Sequence, residues 1–171
     1  MRSFLNKIYI ASGYLAAMFL VGILLAIMWQ VISRWLGRTA DATEVAGMFL
    51  AASTFFGLAY TFREGAHVRI NLIVGHLPAA IQRWVEFFNC LVALGTVAFV
   101  SWNMWILAFQ SVEFEDVSPG LLAIPFWIPQ MGVALGLTLF AVALIDEVVW
   151  LLQGGRPRYD APDAAHNAPV A

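Results

Sequence analysis

The chain has 171 residues, of which 61% are hydrophobic and 12% charged, and its formal net charge is −2. Soluble domains carry about 25% charged residues, so this chain has too little polar surface to cover a water-facing globule, and its composition predicts a membrane protein. The slightly negative net charge excludes the basic field that attracts nucleic acid.

Four apolar stretches are long enough to cross a bilayer, which takes about 20 predominantly apolar residues in a helix. We expect the four spans at about residues 8–35, 43–62, 79–110 and 125–152. The first is longer than the apolar core of a signal peptide, and we expect it to be retained as a helix. The expected fold class is an all-α membrane protein, with a four-helix membrane domain over residues 1–155 and a disordered tail over residues 156–171.

The distribution of lysine and arginine predicts the orientation, because these residues are enriched in cytoplasmic segments. Seven of them fall on one side of the predicted spans, namely Arg2, Lys7, Arg63, Arg69, Arg83, Arg156 and Arg158, and two, Arg34 and Arg38, fall on the other. We therefore expect both termini in the cytoplasm and residues 111–122 outside.

A short interfacial arm is expected between the second and third spans. It follows a compact charged turn, Arg63-Glu64-Gly65-Ala66-His67-Val68-Arg69, which holds two arginines, a glutamate and a histidine in a chain with few charges. Residues 70–74 are apolar but too few to cross the membrane. We expect this segment to lie in the membrane interface.

The usual signatures of enzymes and cofactors cannot be assigned in this sequence. The single cysteine, Cys90, cannot form an internal disulfide, and we expect it to be a small buried core residue. The three histidines, His67, His76 and His166, fall outside the spans, where none can serve as an axial haem ligand. We therefore expect neither an enzyme nor a bound cofactor or metal.

Ionisable residues within a membrane are candidates for function, because their burial in lipid is costly. The four candidates, Glu44, Glu86, Asp146 and Glu147, fall near the ends of the spans. The chain alone therefore lacks the deep polar groups of an ion pathway or a proton relay.

Other polar, aromatic and small residues are expected to mediate helix packing. The polar groups expected to form hydrogen bonds between helices are Gln30, Asn89, Ser101 and Asn103. The deeper tryptophans, Trp29 and Trp102, are expected to pack against neighbouring helices. Small residues four positions apart indicate either internal packing or a partner interface, and the two pairs are Gly47 with Ala51 and Gly132 with Gly136.

The segment Ile124-Pro125-Phe126-Trp127-Ile128-Pro129-Gln130 has two prolines that bracket an aromatic residue where the chain re-enters the membrane. A proline lacks an N–H donor, which is harmless only in the first turn of a helix or outside it. The segment is either a rigid helix start with an interfacial tryptophan or a shaped docking surface on the outer face.

The order of these motifs resembles the small membrane subunit, called DctQ-like, of tripartite ATP-independent periplasmic (TRAP) transporters. The matching segments are Glu44 at the start of the second span, Phe56-Gly57-Leu58-Ala59-Tyr60 near its end, the charged turn, Leu77-Pro78, and residues 124–129. The resemblance covers nearly the whole chain except the tail, and the Glu-Gly-x-His-Val element is fairly specific in a four-span protein of this size.

The resemblance implies a division of labour. A soluble periplasmic protein captures a substrate, commonly an organic acid, and a large membrane subunit moves it, driven by a sodium gradient. The small subunit resembles a scaffold that widens the fixed part of an elevator-type transporter in the bacterial inner membrane, and sodium coupling is expected in the large subunit. The alternatives are a free-standing four-helix channel or small carrier, and a membrane anchor of an enzyme complex.

Two groups of residues are expected to meet partners if the resemblance holds. One group is expected to anchor phospholipid headgroups or the large subunit, and comprises Glu44, Arg63, Glu64, Gly65, His67 and Arg69. The other is expected to form the outer face on which the binding protein docks, and comprises Glu113, Glu115, Asp116, Pro125, Trp127 and Pro129.

Overall fold

The computed structural model describes residues 2–38, 40–63, 79–120 and 122–153. Within these ranges the chain forms four helices: α1 (Arg2–Trp35), α2 (Thr43–Arg63), α3 (Ala79–Glu113) and α4 (Trp127–Leu152). Each is long and apolar enough to cross a membrane, which confirms the predicted all-α fold with four spans. The predicted interfacial arm, the predicted tail and residues 64–69 of the charged turn lie outside the described residues.

The helices pack in the order α1, α2, α4, α3. Extensive contacts join α1 to α2, α2 to α4, and α4 to α3. The two edge helices are little buried. In an 18-residue apolar window of each helix, 6% of the residues of α1 and 11% of those of α3 are buried, against 28% for α2 and 33% for α4. Each edge helix thus leaves most of its surface to lipid or to another protein.

A glycine lets α1 approach α2 closely. A Cβ atom at Gly13 would lie 2.8 Å from Cγ of Tyr60. One turn further along α1, the Ser53 hydroxyl of α2 donates a hydrogen bond to the carbonyl oxygen of Ala16 at 2.9 Å. Membrane helices associate through such close backbone approach and side-chain hydrogen bonds, because lipid tails are as apolar as the helix surface.

Gly136 allows α4 to lie against the backbone of α2. A Cβ atom there would be 2.7 Å from the carbonyl carbon and 2.9 Å from the carbonyl oxygen of Phe55. At Gly132, one turn earlier, a Cβ atom would lie 3.9 Å from that of Ala52. This small-residue pair therefore serves internal packing, whereas Gly47 of the other pair faces open space.

Thr138 is the polar centre of the contact between α3 and α4. Its hydroxyl donates to the carbonyl oxygen of Ala134 at 2.7 Å and accepts a hydrogen bond from Nε1 of Trp105 at 3.1 Å. The hydroxyl of Ser101 lies 3.1 Å from the same oxygen, which confirms that Ser101 bonds between helices. Cys90 is buried nearer the other end of this contact, as predicted.

Three expectations about packing are wrong. Trp29 and Trp102 are 62% and 69% exposed, and the amide of Asn103 donates to the Phe99 carbonyl oxygen of its own helix at 2.8 Å. All three residues belong to α1 or α3. These helices lie at the edges of the row, so much of the surface around these residues is not covered by another described helix.

Replacing Thr138 with valine should weaken the contact between α3 and α4. Valine keeps the shape of threonine but leaves the Trp105 N–H and the Ser101 hydroxyl without their shared partner. Hydrogen bonds between membrane helices contribute about 0.6 kcal/mol each and at most about 1.7, so we expect the free energy of unfolding in mixed micelles to fall by about 1–2 kcal/mol. Thr138→Ser keeps the hydroxyl and should lose clearly less; equal losses would exclude the hydroxyl as the stabilising group.

Candidate functional site

The connections between α1 and α2 and between α3 and α4 meet at one end of the row, which we call the acidic end (residues 34–44 and 113–126). Leu122 of one connection and Asp41 of the other line the same cleft. The exposed charged residues of this end are the acids Asp41, Glu113, Glu115 and Asp116, and the bases Arg34 and Arg38. Acidic groups therefore outnumber basic ones on this surface.

A glycine turn ends α1 and fixes the position of Arg38. Gly37 has a φ of +72°, its N–H donates to the carbonyl oxygen of Arg34 at 3.1 Å, and the Arg38 N–H donates to that of Ser33 at 2.9 Å. This is a Schellman motif, which satisfies the last carbonyl groups of a helix. The backbone of Arg38 is consequently held at the end of α1, and its side chain is exposed.

Asp41 caps the start of α2. Its Oδ1 accepts a hydrogen bond from the Thr43 N–H at 3.0 Å, and the Ala46 N–H donates to the carbonyl oxygen of Ala42 at 2.9 Å to begin the helical pattern. The hydrogen bonds from Thr43 lower the pKa of Asp41 below its ordinary value of 3.8. This exposed carboxylate is therefore negatively charged at neutral pH.

A backbone bridge closes the connection from α3 to α4. Val117 pairs with Pro125, and the Phe126 N–H donates to the carbonyl oxygen of Asp116 at 3.0 Å. These contacts hold Asp116 beside the start of α4. The residues that follow α3 and those that precede α4 are thereby brought together.

The six predicted docking residues lie along this one connection and its helix ends. Glu113, Glu115 and Asp116 are exposed, Trp127 is 38% exposed, and Pro125 and Pro129 are half-buried. The helix start expected for this segment is present, because α4 begins at Trp127. Pro129 falls in its first turn, where no N–H is needed.

Glu115 takes a left-handed backbone conformation that glycine adopts more readily. Its φ is +52°, and the N–H groups of Glu115 and Asp116 donate to the carbonyl oxygens of Val112 and Ser111 at 3.4 and 3.1 Å. This is the same turn that Gly37 makes at the end of α1. The conformation costs an L-residue roughly 1–2 kcal/mol, so the exposed carboxylate placed there is a candidate for function.

Glu44 lies against the acidic-end loop. A Cβ atom at Gly120 would overlap the Glu44 carboxylate, with Cδ 2.7 Å away. The Oε1 atom of Glu44 is buried and accepts no hydrogen bond from the described residues. Arg63 is at the opposite end of α2, about 28 Å further along the helix axis. The structure thus separates Glu44 from Arg63, while the other members of this predicted group, Glu64, Gly65, His67 and Arg69, lie outside the described residues.

Sequence reasoning missed two residues that organise this end, Asp41 and Gly120. The Asp-x-Thr pattern before an apolar run is a recognisable helix-start signal and would have identified Asp41. No sequence signal indicates that Gly120 receives the Glu44 side chain, because that contact is between distant segments. In the part of the chain that the structure describes, no group of three or more His, Cys, Asp or Glu residues is arranged to hold a metal ion.

One known family matches most of this chain. The family model described as "Tripartite ATP-independent periplasmic transporters, DctQ component" matches residues 23–154, which include the acidic end and three complete helices. No curated protein matches the chain. DctQ proteins are transporter components that work with a large membrane subunit and a binding protein. The chain belongs to this family and is a small membrane subunit of a TRAP transporter.

Proposed function

We propose that this chain is the fixed scaffold of a sodium-driven TRAP transporter that imports an organic acid delivered by a periplasmic binding protein. In this assignment the large membrane subunit moves the substrate and couples it to sodium. The small subunit is a multi-pass protein of the bacterial inner membrane, with the acidic end outside and both termini in the cytoplasm.

The observation that carries the proposal is the composition of the helix interiors. Residues 8–33, 45–62, 87–112 and 127–145 contain no Asp, Glu, Lys, Arg or His. A site for sodium or a carboxylate near the bilayer midplane needs charged groups, carbonyl groups or helix ends at that depth. These four segments are continuous helix and contain no charged group at that depth. They therefore suit a supporting role and offer no polar path for an ion or a substrate.

The packing order gives a second reason. In an open row, α1 and α3 each have a neighbour on one side only. Most of their apolar surface is therefore left exposed. A free-standing channel needs helices that enclose a path, whereas a scaffold needs surface for a larger neighbour. The arrangement favours the scaffold.

The two ends of the row then have different roles. The acidic end offers Glu113, Glu115 and Asp116 to a soluble partner, and complementary charge steers such encounters. The other end begins the charged turn at Arg63, whose basic residues suit lipid phosphates or carboxylates of the large subunit. His67 and Glu64 add hydrogen-bonding groups to that turn.

Replacing Glu64 and His67 together with alanine should lower co-purification of the large subunit. A hydrogen bond to a charged group contributes about 1.5–3 kcal/mol, so the loss of one such contact with the large subunit would lower co-purification by about tenfold or more. The measurement is pull-down from membranes through a tag on the small subunit. Glu113→Ala with His166→Ala changes the same residue types elsewhere and should leave co-purification intact. Unchanged co-purification and uptake in the first variant would remove the charged turn from the interface.

A further inference from the structure

A cleft of about 600 Å³ separates α1 from α2 at the acidic end. Its walls are mainly apolar side chains, among them Ala26 and Trp29 of α1 and Val45 and Phe49 of α2. Asp41 is the charged residue of the lining. The cleft is thus apolar along its walls and charged at its rim.

The cleft ends where the two helices come together. A Cβ atom at Gly22 would lie 2.9 Å from the ring of Phe49, so α1 and α2 touch at that level. From Gly22 to Trp29, α1 rises about 10 Å, which is a large part of one leaflet of a hydrocarbon core about 30 Å thick. The cleft therefore runs from within the hydrocarbon to the level of the headgroups.

The occupant of such a cleft must be apolar along most of its length. Cavities with apolar walls do not hold ordered water, which needs several polar partners. The cleft lies on the least buried helix of the row, where acyl chains have direct access. A lipid tail therefore suits its walls.

The charged rim of the cleft suits an occupant that also has a charged group. Asp41 offers an exposed carboxylate that is held in place by its hydrogen bond from the Thr43 N–H. Arg38 lies three positions before Asp41 in the same connection between α1 and α2, and its side chain is also exposed. An anion at the rim and a cation in the same connection match a zwitterionic headgroup, because a phosphate accepts hydrogen bonds from a guanidinium and an ammonium donates to a carboxylate. An apolar side chain from another protein would fit the walls but would use neither charge.

We propose that this cleft binds one phospholipid with a primary-amine headgroup, such as phosphatidylethanolamine. An acyl chain lies between α1 and α2, the phosphate meets Arg38, and the ammonium meets Asp41. The site is at the opposite end of α2 from Arg63, and it does not depend on the scaffold role.

Native mass spectrometry of the purified chain tests this site, with phosphatidylethanolamine and phosphatidylglycerol supplied in equal amounts. We expect one bound phosphatidylethanolamine, preferred by about tenfold, as a single charge-assisted contact allows. Asp41→Asn keeps an acceptor for the Thr43 N–H and should reduce the preference nearly to none. Ala26→Phe fills the cleft and should abolish the adduct, whereas Ala98→Phe, at an exposed position of α3, should retain it.

Three outcomes would overturn the proposal. The first is equal retention of the two lipids by the unaltered chain. The second is an identical adduct in Ala26→Phe and Ala98→Phe. The third is loss of the lipid when the large subunit binds, which would assign the cleft to a side chain of that subunit. Asp41→Asn changes only an exposed side chain, so its result decides the matter even if the phenylalanine variants fold poorly.

Discussion

Gly136→Val should force α4 away from α2 and destabilise the centre of the row. The new side chain would begin 2.7–2.9 Å from three atoms of Phe55, two of which belong to the backbone. A side chain can rotate away from a clash, but a helix backbone cannot, so the helices must move apart. Overpacking of this kind costs roughly 3 kcal/mol, which lowers the melting temperature by about 6–12 °C in a protein of this size.

The measurement is thermal unfolding of the detergent-solubilised chain, followed by loss of its monodisperse elution peak. Gly47→Val is the matched control, because a Cβ atom at Gly47 meets nothing within 4 Å. It should leave the melting temperature nearly unchanged. Similar losses in the two variants would mean that valine in a helix, and not the contact with Phe55, causes the effect.

Reversing the charges of Glu113, Glu115 and Asp116 to lysine should strongly reduce uptake by the assembled transporter. These carboxylates are exposed together at the acidic end, where they would attract basic residues of the binding protein. Electrostatic steering changes association rates by about 10–1,000-fold. We therefore expect the binding-protein concentration for half-maximal uptake to rise by at least about tenfold, with little change in the maximal rate.

A neutral variant that combines Glu113→Gln, Glu115→Gln and Asp116→Asn should show an intermediate effect, because it removes the attraction without adding repulsion. Added salt should reduce the difference between the original and neutral forms, because exposed charges are screened. If charge reversal leaves the kinetics of uptake unaltered, these residues have no part in docking.

Glu115→Gly distinguishes the effect of the backbone conformation at this position from the effect of the carboxylate charge. Glycine suits the left-handed conformation that Glu115 adopts at a φ of +52°, so the substitution should maintain or raise stability while it removes the carboxylate. We expect an undiminished melting temperature together with weaker docking. This combination cannot arise from partial unfolding, and it therefore isolates the role of the charge.

Much of the fold could be predicted because the bilayer imposes a length and a hydropathy on each span. The expected span 43–62 corresponds closely to α2, which covers Thr43–Arg63. α1 begins at Arg2, before the expected start at residue 8. The first turns of this helix contain polar residues, so a search for apolar residues alone places the start too late. The expected start at residue 125 was early, since Pro125 takes part in the bridge with Val117 before α4 begins.

The packing order could not be predicted, for a physical reason. A soluble helix marks its buried face with apolar residues, but in a membrane the lipid-facing surface is equally apolar. The sequence around Trp29 and Trp102 therefore does not indicate that these side chains are exposed. Gly136 and Gly47 are likewise the same residue type in similar small-residue pairs, yet only the structure distinguishes the close contact at Gly136 from the open space at Gly47.

The residues of the predicted docking face, from Glu113 to Pro129, lie along one connection because they are close in sequence and the bridge at Val117 closes it. Their role in docking stays a prediction. The cleft between α1 and α2 was not foreseen, because it depends on how far two helices diverge beyond Gly22. The distance between two helices is set by contacts between segments that are far apart in the sequence, so no local sequence pattern indicates it.

We propose that this chain supports transport and leaves the movement of substrate to the large subunit. The most direct measurement is uptake of labelled organic acids into proteoliposomes under an inward sodium gradient, with the small subunit alone, with both membrane subunits, and with both subunits plus the binding protein. We expect uptake only in the last case. Sodium-dependent uptake by the small subunit alone would contradict it.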